Sequence, residues 1–236
     1  MITITVTAAE EAEGSRGRFL ITLKLSDDVH EETKTIMIFR YFLREKPFCG
    51  TVPAVGEFLS AEDYDALMYA GECSRAAVKA VSFLAYGDNT AKKLSEKLRT
   101  KGFSKEASTA AVRFCVEKRY IREEEQLARL MEVLCTQKKY GARRIRQEIW
   151  NKGFSEETVK AVWEDILETL DFDSALDDRI RKLGRSAFSP PDKKKRTVSS
   201  LLRYGFSFDE INRAVRRVYG SLPEKEEEWG DGEDFE

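Results

Sequence analysis

Histidine is almost missing from this chain. His30 is the only one in 236 residues, and the four cysteines, Cys49, Cys73, Cys115 and Cys135, stand far apart with no C-x-x-C pair. A zinc site built on Cys and His has almost nothing to draw on, and the spacing points to reduced, mostly buried thiols. His30 falls in the acidic, turn-like stretch DDVHEE, where solvation is expected rather than catalysis. Long apolar runs are missing too. No stretch approaches the roughly 20 apolar residues that span a bilayer. The N-terminal MITITVTAAEEAEG carries acids where a secretory signal would carry a basic region and an apolar core. A cytoplasmic protein with no membrane partner is expected. There is no phosphate-binding G-x-x-x-x-G-K-[ST], no G-x-S-x-G and no dinucleotide fingerprint. The acids gather at helix starts, as in EEE at 123–125, where the helix dipole accounts for them without metal or acid–base chemistry. The expectation is a protein without catalytic residues, metal or cofactor.

What is present is charge, and it is unevenly placed. Residues 1–72 hold 7 Lys/Arg against 13 Asp/Glu, and residues 224–236 hold 1 against 8; from totals of 40 and 42 this leaves 32 against 21, a net of +11, in residues 73–223. A basic block between acidic ends suits a polyanion or an acidic protein surface as partner, although Lys/Arg-rich helix surfaces also serve solubility alone.

The first 59 residues read as β. MITITVTA, RFLITLKLS (18–26) and KTIMIFRYFL (34–43) are β-branched and aromatic runs separated by polar stretches, the pattern of a small antiparallel sheet. AEEAEGSRGR (9–18) reads as the loop of its first hairpin. GTVPAVGEFL is a connector, and SAEDYDALMYAG (60–71) begins a linking helix with Ser60 and acids at its positive end.

From Cys73 onward the period becomes helical and the text repeats. KGFS at 101–104 returns at 152–155 and again, as YGFS, at 204–207. A shift of 51 superimposes Leu94 on Ile145, Leu98 on Ile149, Gly102 on Gly153 and Phe103 on Phe154; in the third copy Leu201 takes the place of Leu98, and Val198 must stand in where Thr197 falls in register. Each copy has three helices. In the first, RAAVKAVSFLAYG (75–87) is expected to face Ala77, Val81 and Leu84 inward, and 104–120 to bury Ala107, Ala111, Phe114 and Val116. The glycine of each copy, Gly102, Gly153 and Gly205, is read as the stop of the second helix, because glycine turns most easily to positive φ. The serine two residues on caps the third helix, Ser207 with Glu210 forming a capping box, and the intervening phenylalanine staples Phe154 to Val159 and Phe206 to Ile211.

The fold class expected is therefore mainly α: three tandem three-helix repeats in an elongated curved array, preceded by a small β-rich segment. The boundaries are 1–59 for the β-rich segment, 60–122 for the linking helix and first repeat, 123–172 and 173–223 for the second and third repeats, and 224–236 for an acidic tail. The tail's charge density and two glycines argue for disorder.

Three tandem units of this kind, with LAYGDNTAKKLSEKLRTKGFS (84–104), RYIREEEQLARL (119–130) and above all KKYGARRIRQEIWNKGFS (138–155), closely resemble the RecX recombination regulators. Leu127 stands where many members have Phe, and Ala142 where proline is common. The resemblance implies a non-enzymatic regulator, expected as a monomer, that binds the RecA recombinase filament and alters its ATPase, strand-exchange and coprotease activities, with DNA as a further partner of the basic repeats. The surface expected to make those contacts is the second helix of each repeat. It carries Lys92, Lys93, Lys97, Arg99 and Lys101 in the first; Arg143, Arg144, Arg146 and Lys152, preceded by Lys138 and Lys139, in the second; and Lys193, Lys194, Lys195, Arg196 and Arg203 in the third. The alternative is a helix-turn-helix transcription factor. Against it, the base-reading helix of each pair would start with SKEAS or SEETV, which are acidic or neutral.

Overall fold

The computed structural model describes residues 2–220; the tail expected at 224–236 lies outside them. The chain divides into two compact units, Met1–Glu123 and Glu124–Glu236.

The first unit opens with β1 (Thr3–Glu11), β2 (Arg18–Ser26) and β3 (Glu31–Phe39), followed by a two-residue β4 (Phe58–Leu59). The sheet order is β3-β2-β1-β4, all pairs antiparallel. Alternation works as its period of two requires: Ile4, Val6, Phe19, Ile21, Leu23, Ile36 and Ile38 share the buried face. A register shift between Val6 and Ala8 keeps Ala9 against the same core. The run expected to stay extended to residue 43 leaves the sheet at Phe39 and closes as a 3₁₀ turn over Arg40–Leu43.

The sheet packs on α1 (Ala61–Ala85), and here the structure departs from the sequence reading. The linking helix and the first helix of repeat one are a single helix, with Gly71 inside it. A lone glycine costs an interior helix only about 1 kcal/mol, and at this point α1 lies against β3, where Ile36 and Met37 cover Gly71. The buried Ser74 fixes the contact: its hydroxyl accepts from the Phe39 amide at 2.9 Å and donates to the Ala70 carbonyl at 2.7 Å.

Two further helices, α2 (Ala91–Thr100) and α3 (Lys105–Glu117), complete the first repeat. Its core joins Ala76, Ala77 and Ala80 to Leu94, Leu98, Ala111, Phe114 and Cys115. Leu94 and Leu98 are fully buried, each contributing about 1.5–3 kcal/mol by leaving water. Val81 and Val116, expected inward, stand exposed. The inward stripe of α1 runs through small alanines, which allow close approach to α3, and Val81 falls one position beyond its edge.

The second unit begins one residue into α4 (Glu123–Thr136) and holds α5 (Ala142–Lys152), α6 (Glu156–Thr169), α7 (Phe172–Leu183), α8 (Pro191–Arg203) and α9 (Phe208–Tyr219). One cluster gathers Leu127, Met131, Leu134, Ile145, Ile149 and Trp163, and it already includes Ala175 of α7. The other gathers Leu176, Ile180, Phe188, Val198, Leu201, Phe206, Ile211 and Val215. Val198 is buried as the register slip required, and Thr197 turns its hydroxyl to the Ala187 carbonyl at 3.1 Å. The fold is thus mainly helical with a small N-terminal antiparallel sheet, as the sequence implied.

The hinge motif is built as its residues dictate. Gly102, Gly153 and Gly205 have φ of +89°, +78° and +92°. Ser104, Ser155 and Ser207 each accept from the amide three residues on, and Ser207 with Glu210 forms the full capping box. Phe154 and Val159 pack on one core, and Phe206 and Ile211 on the other.

Candidate functional site

The second helices, α2, α5 and α8, each present two sides of opposite chemistry. One side is fixed by a buried pair: Leu94 and Leu98, Ile145 and Ile149, Val198 and Leu201. At 100° per residue the remaining positions turn to water, and these carry the basic side chains. Lys92, Lys93, Arg99, Lys101, Arg143, Arg146, Lys152, Lys193, Lys195, Arg196 and Arg203 are all exposed. Lys194 is half-buried.

Several members of the expected set are occupied within the fold. Lys97 donates to the Asn89 side chain at 2.5 Å and lies over the Phe83 ring. Lys93 sits 3.4 Å from Glu96 on its own helix. Arg144 pairs with Glu148 at 2.7 Å and bonds Gln147 at 2.9 Å. Arg146 places its guanidinium 4.7 Å from the centre of the Trp163 ring. Lys138 and Lys139 belong to the turn after α4, not to α5. Lys139 has φ +55° and reaches Asp178 of α7 at 2.8 Å, and that hydrogen bond and charge hold the Asp178 carboxyl below its usual pKa.

The sequence reading missed a joint at the inner end of α5. The Gly141 amide donates to the Tyr204 carbonyl at 2.8 Å, and a Cβ on Gly141 would lie 2.5 Å from the Gly205 oxygen. A Cβ on Gly205 would lie 2.4 Å from the Arg144 amide nitrogen. Around this contact the Tyr140 and Tyr204 rings stand 5.6 Å apart, Arg144 covers Tyr140, and the Arg179 guanidinium sits 3.2 Å from the Tyr204 ring centre. The signal was in the text as a repeated Tyr-Gly, at 140–141 and 204–205. A second unanticipated link joins α7 to α9: Arg217 grips the buried Asp177 with two bonds of 2.7 and 2.8 Å, and these raise the Arg217 pKa.

Two carboxylates serve the starts of other helices. Glu123, the last residue of the first unit, accepts from the Ala91 amide that opens α2, at 2.6 Å, and Glu72 accepts from the Ser104 amide at 2.8 Å. Cys73, Cys115 and Cys135 are buried and Cys49 is exposed. Burial pushes the Cys73 and Cys115 thiols up to about 11. His30 sits in the turn between β2 and β3, where Asp27 accepts from its backbone amide. Among the described residues no three His, Cys, Asp or Glu side chains gather as a metal-holding group, and no helix is long and apolar enough to cross a membrane.

These features define a class: a mainly helical, repeat-built protein with an N-terminal sheet, whose second helices carry exposed basic side chains. No protein-family model matches the chain. In sequence it is 25% identical over 143 residues to the regulatory protein RecX of Clostridioides difficile (strain 630), a similarity that covers 59% of this chain and 66% of that one, just under two thirds of the relative's length. In fold it is similar to a crystal structure of regulatory protein RecX, with a TM-score of 0.67 and 17% identity, covering 92% of this chain and all of that one. A crystal structure of RecX from Lactobacillus salivarius aligns with a TM-score of 0.52 and 17% identity over 62% of this chain and 96% of that one. The sequence similarity is to a RecX regulatory protein, and the two solved structures share the fold of this chain.

Proposed function

We propose that this protein binds the RecA recombinase filament through the outward basic faces of its second helices and inhibits the filament's ATPase, strand-exchange and coprotease activities. One observation carries the reading: α2, α5 and α8 each spend one side on a buried aliphatic pair and offer Lys and Arg to solvent on the other. A nucleoprotein filament presents both phosphates and acidic protein surface to such faces. The protein acts in the cytoplasm as a monomer and without catalysis of its own. The test is RecA's single-stranded-DNA-dependent ATP hydrolysis with increasing amounts of the protein. A dose-dependent fall supports the reading; an unchanged rate at a large molar excess, with DNA binding retained, overturns it and favours direct DNA recognition.

A further inference from the structure

The outward face of α5 differs from those of its two counterparts. Trp150 is 72% exposed, an unusual state for the residue type that buries the most apolar area. On the helical wheel it shares its face with Arg143 and Arg146, seven and four residues earlier, and with the neutral Gln147. The carboxylate on this helix, Glu148, lies about 160° around the helix from Trp150 at 100° per residue, and is paired with Arg144. The matching position in α2 is Arg99, whose face includes Glu96, and in α8 it is Leu202, which packs on the core. Of the three second helices, α5 alone joins an exposed aromatic ring to basic groups on a face free of acids.

We infer that Trp150 is a stacking platform for an unpaired base of single-stranded nucleic acid, with Arg146 and Arg143 holding the adjoining phosphates. Arg146 is prepositioned, because its guanidinium rests over the buried Trp163 ring. Along the axis it stands about 6 Å from Trp150, at 1.5 Å per residue, the scale on which a nucleotide's phosphate lies from its own base. An indole carries no charge and offers a phosphate one N–H donor at most; its larger gain comes from laying its π face on a base. A duplex keeps its base faces stacked internally, whereas a single strand exposes them. The inference rests on the reading of α5 as a contact helix and specifies what that helix contacts.

The test uses the full chain carrying Trp229→Phe, so that emission comes from Trp150 and the buried Trp163. It is titrated with an oligodeoxythymidine of about 16 nucleotides, the upper end of common site sizes, and with an abasic strand of the same length. The thymidine strand should quench the emission; Trp150→Leu should remove the quenching and weaken binding by roughly tenfold or more, while Trp150→Tyr keeps most of the affinity. The abasic strand should bind wild type and Trp150→Leu alike. Equal affinity of wild type and Trp150→Leu for the thymidine strand overturns the inference. If that variant also loses inhibition of RecA, Trp150 is a protein contact, and the proposed function stands without the base contact. If the wild type is quenched by the thymidine strand but leaves RecA unaffected, the base contact stands and the proposed function falls.

Discussion

The Gly141 amide donates to the Tyr204 carbonyl at 2.8 Å, so the start of α5 is hydrogen-bonded to the end of α8. Both groups belong to helix ends that would otherwise lack partners, and the positive end of one helix dipole meets the negative end of the other. Only glycine fits on either side. At Gly205 two demands coincide, a φ of +92° and a Cβ position 2.4 Å from the Arg144 nitrogen.

Gly205→Ala should therefore lower stability by about 2–5 kcal/mol, left-handed strain adding to overpacking. Gly102 provides the comparison: its φ is +89°, yet a Cβ there meets nothing within 4 Å. Gly102→Ala should cost only the strain, about 1–2 kcal/mol. Urea denaturation of both variants reads the difference. Equal losses would mean that the joint with α5 adds nothing to stability.

The repeat hinge was legible because its causes are local. Gly153, Phe154 and Ser155 set a helix stop, a staple and a cap from neighbours within five residues, and the structure keeps all three. The joint between Gly141 and Gly205 was not legible, because it depends on residues 64 apart whose meeting is decided by packing. For the same reason Lys139 read as a surface cation: its partner Asp178, 39 residues on, becomes visible only once α7 is placed. The linking helix and the first helix of repeat one read as separate for a related reason: their continuity through Gly71 is supported by the sheet packed beside it, which the local sequence does not show.

Thiol chemistry should divide the cysteines. Cys49 is exposed, while Cys73 and Cys115 are buried with pKa values pushed up to about 11 from 9.0. At pH 8, iodoacetamide followed by mass spectrometry should label Cys49 first in the folded protein, with Cys73 and Cys115 modified only after denaturant is added. The raised values also fix the sign of a stability effect. In the unfolded chain these thiols ionise near 9, so above that pH the unfolded state holds fewer protons than the native one, and stability falls as pH rises from about 9 to about 11. A melting temperature that rises across that window would contradict the burial of both thiols.

The acidic stretch EKEEEWGDGEDFE carries 8 Asp/Glu against 1 Lys, beside a central block of net +11. If, like other polyanions, it competes for basic faces, the competition is strongest where salt screens least. Deletion of residues 224–236 should raise affinity for single-stranded DNA at low salt, with the gain shrinking as salt is added. Identical affinity at every salt concentration would leave the stretch with no role beyond solubility.

The middle repeat allows packing and contact to be separated on one helix. Arg143 is exposed and lies opposite the buried Ile145 and Ile149, so Arg143→Gln should leave helical content and melting temperature nearly unchanged. If its guanidinium meets a phosphate, the log–log salt dependence of DNA binding should flatten by about 1, and RecA inhibition should weaken with it. Arg144→Gln should behave differently: it loses the Glu148 pair and the cover over Tyr140, so its main effect falls on stability, by about 0.5–1 kcal/mol for a partly exposed pair and ring contact. Ile149→Ala is the packing control, expected to cost about 2–5 kcal/mol through the cavity it leaves. Inhibition by this variant should fall only as its folded fraction falls. A folded Arg143→Gln protein that inhibits RecA as strongly as wild type, with an unchanged salt slope, would remove that face of α5 from the interface.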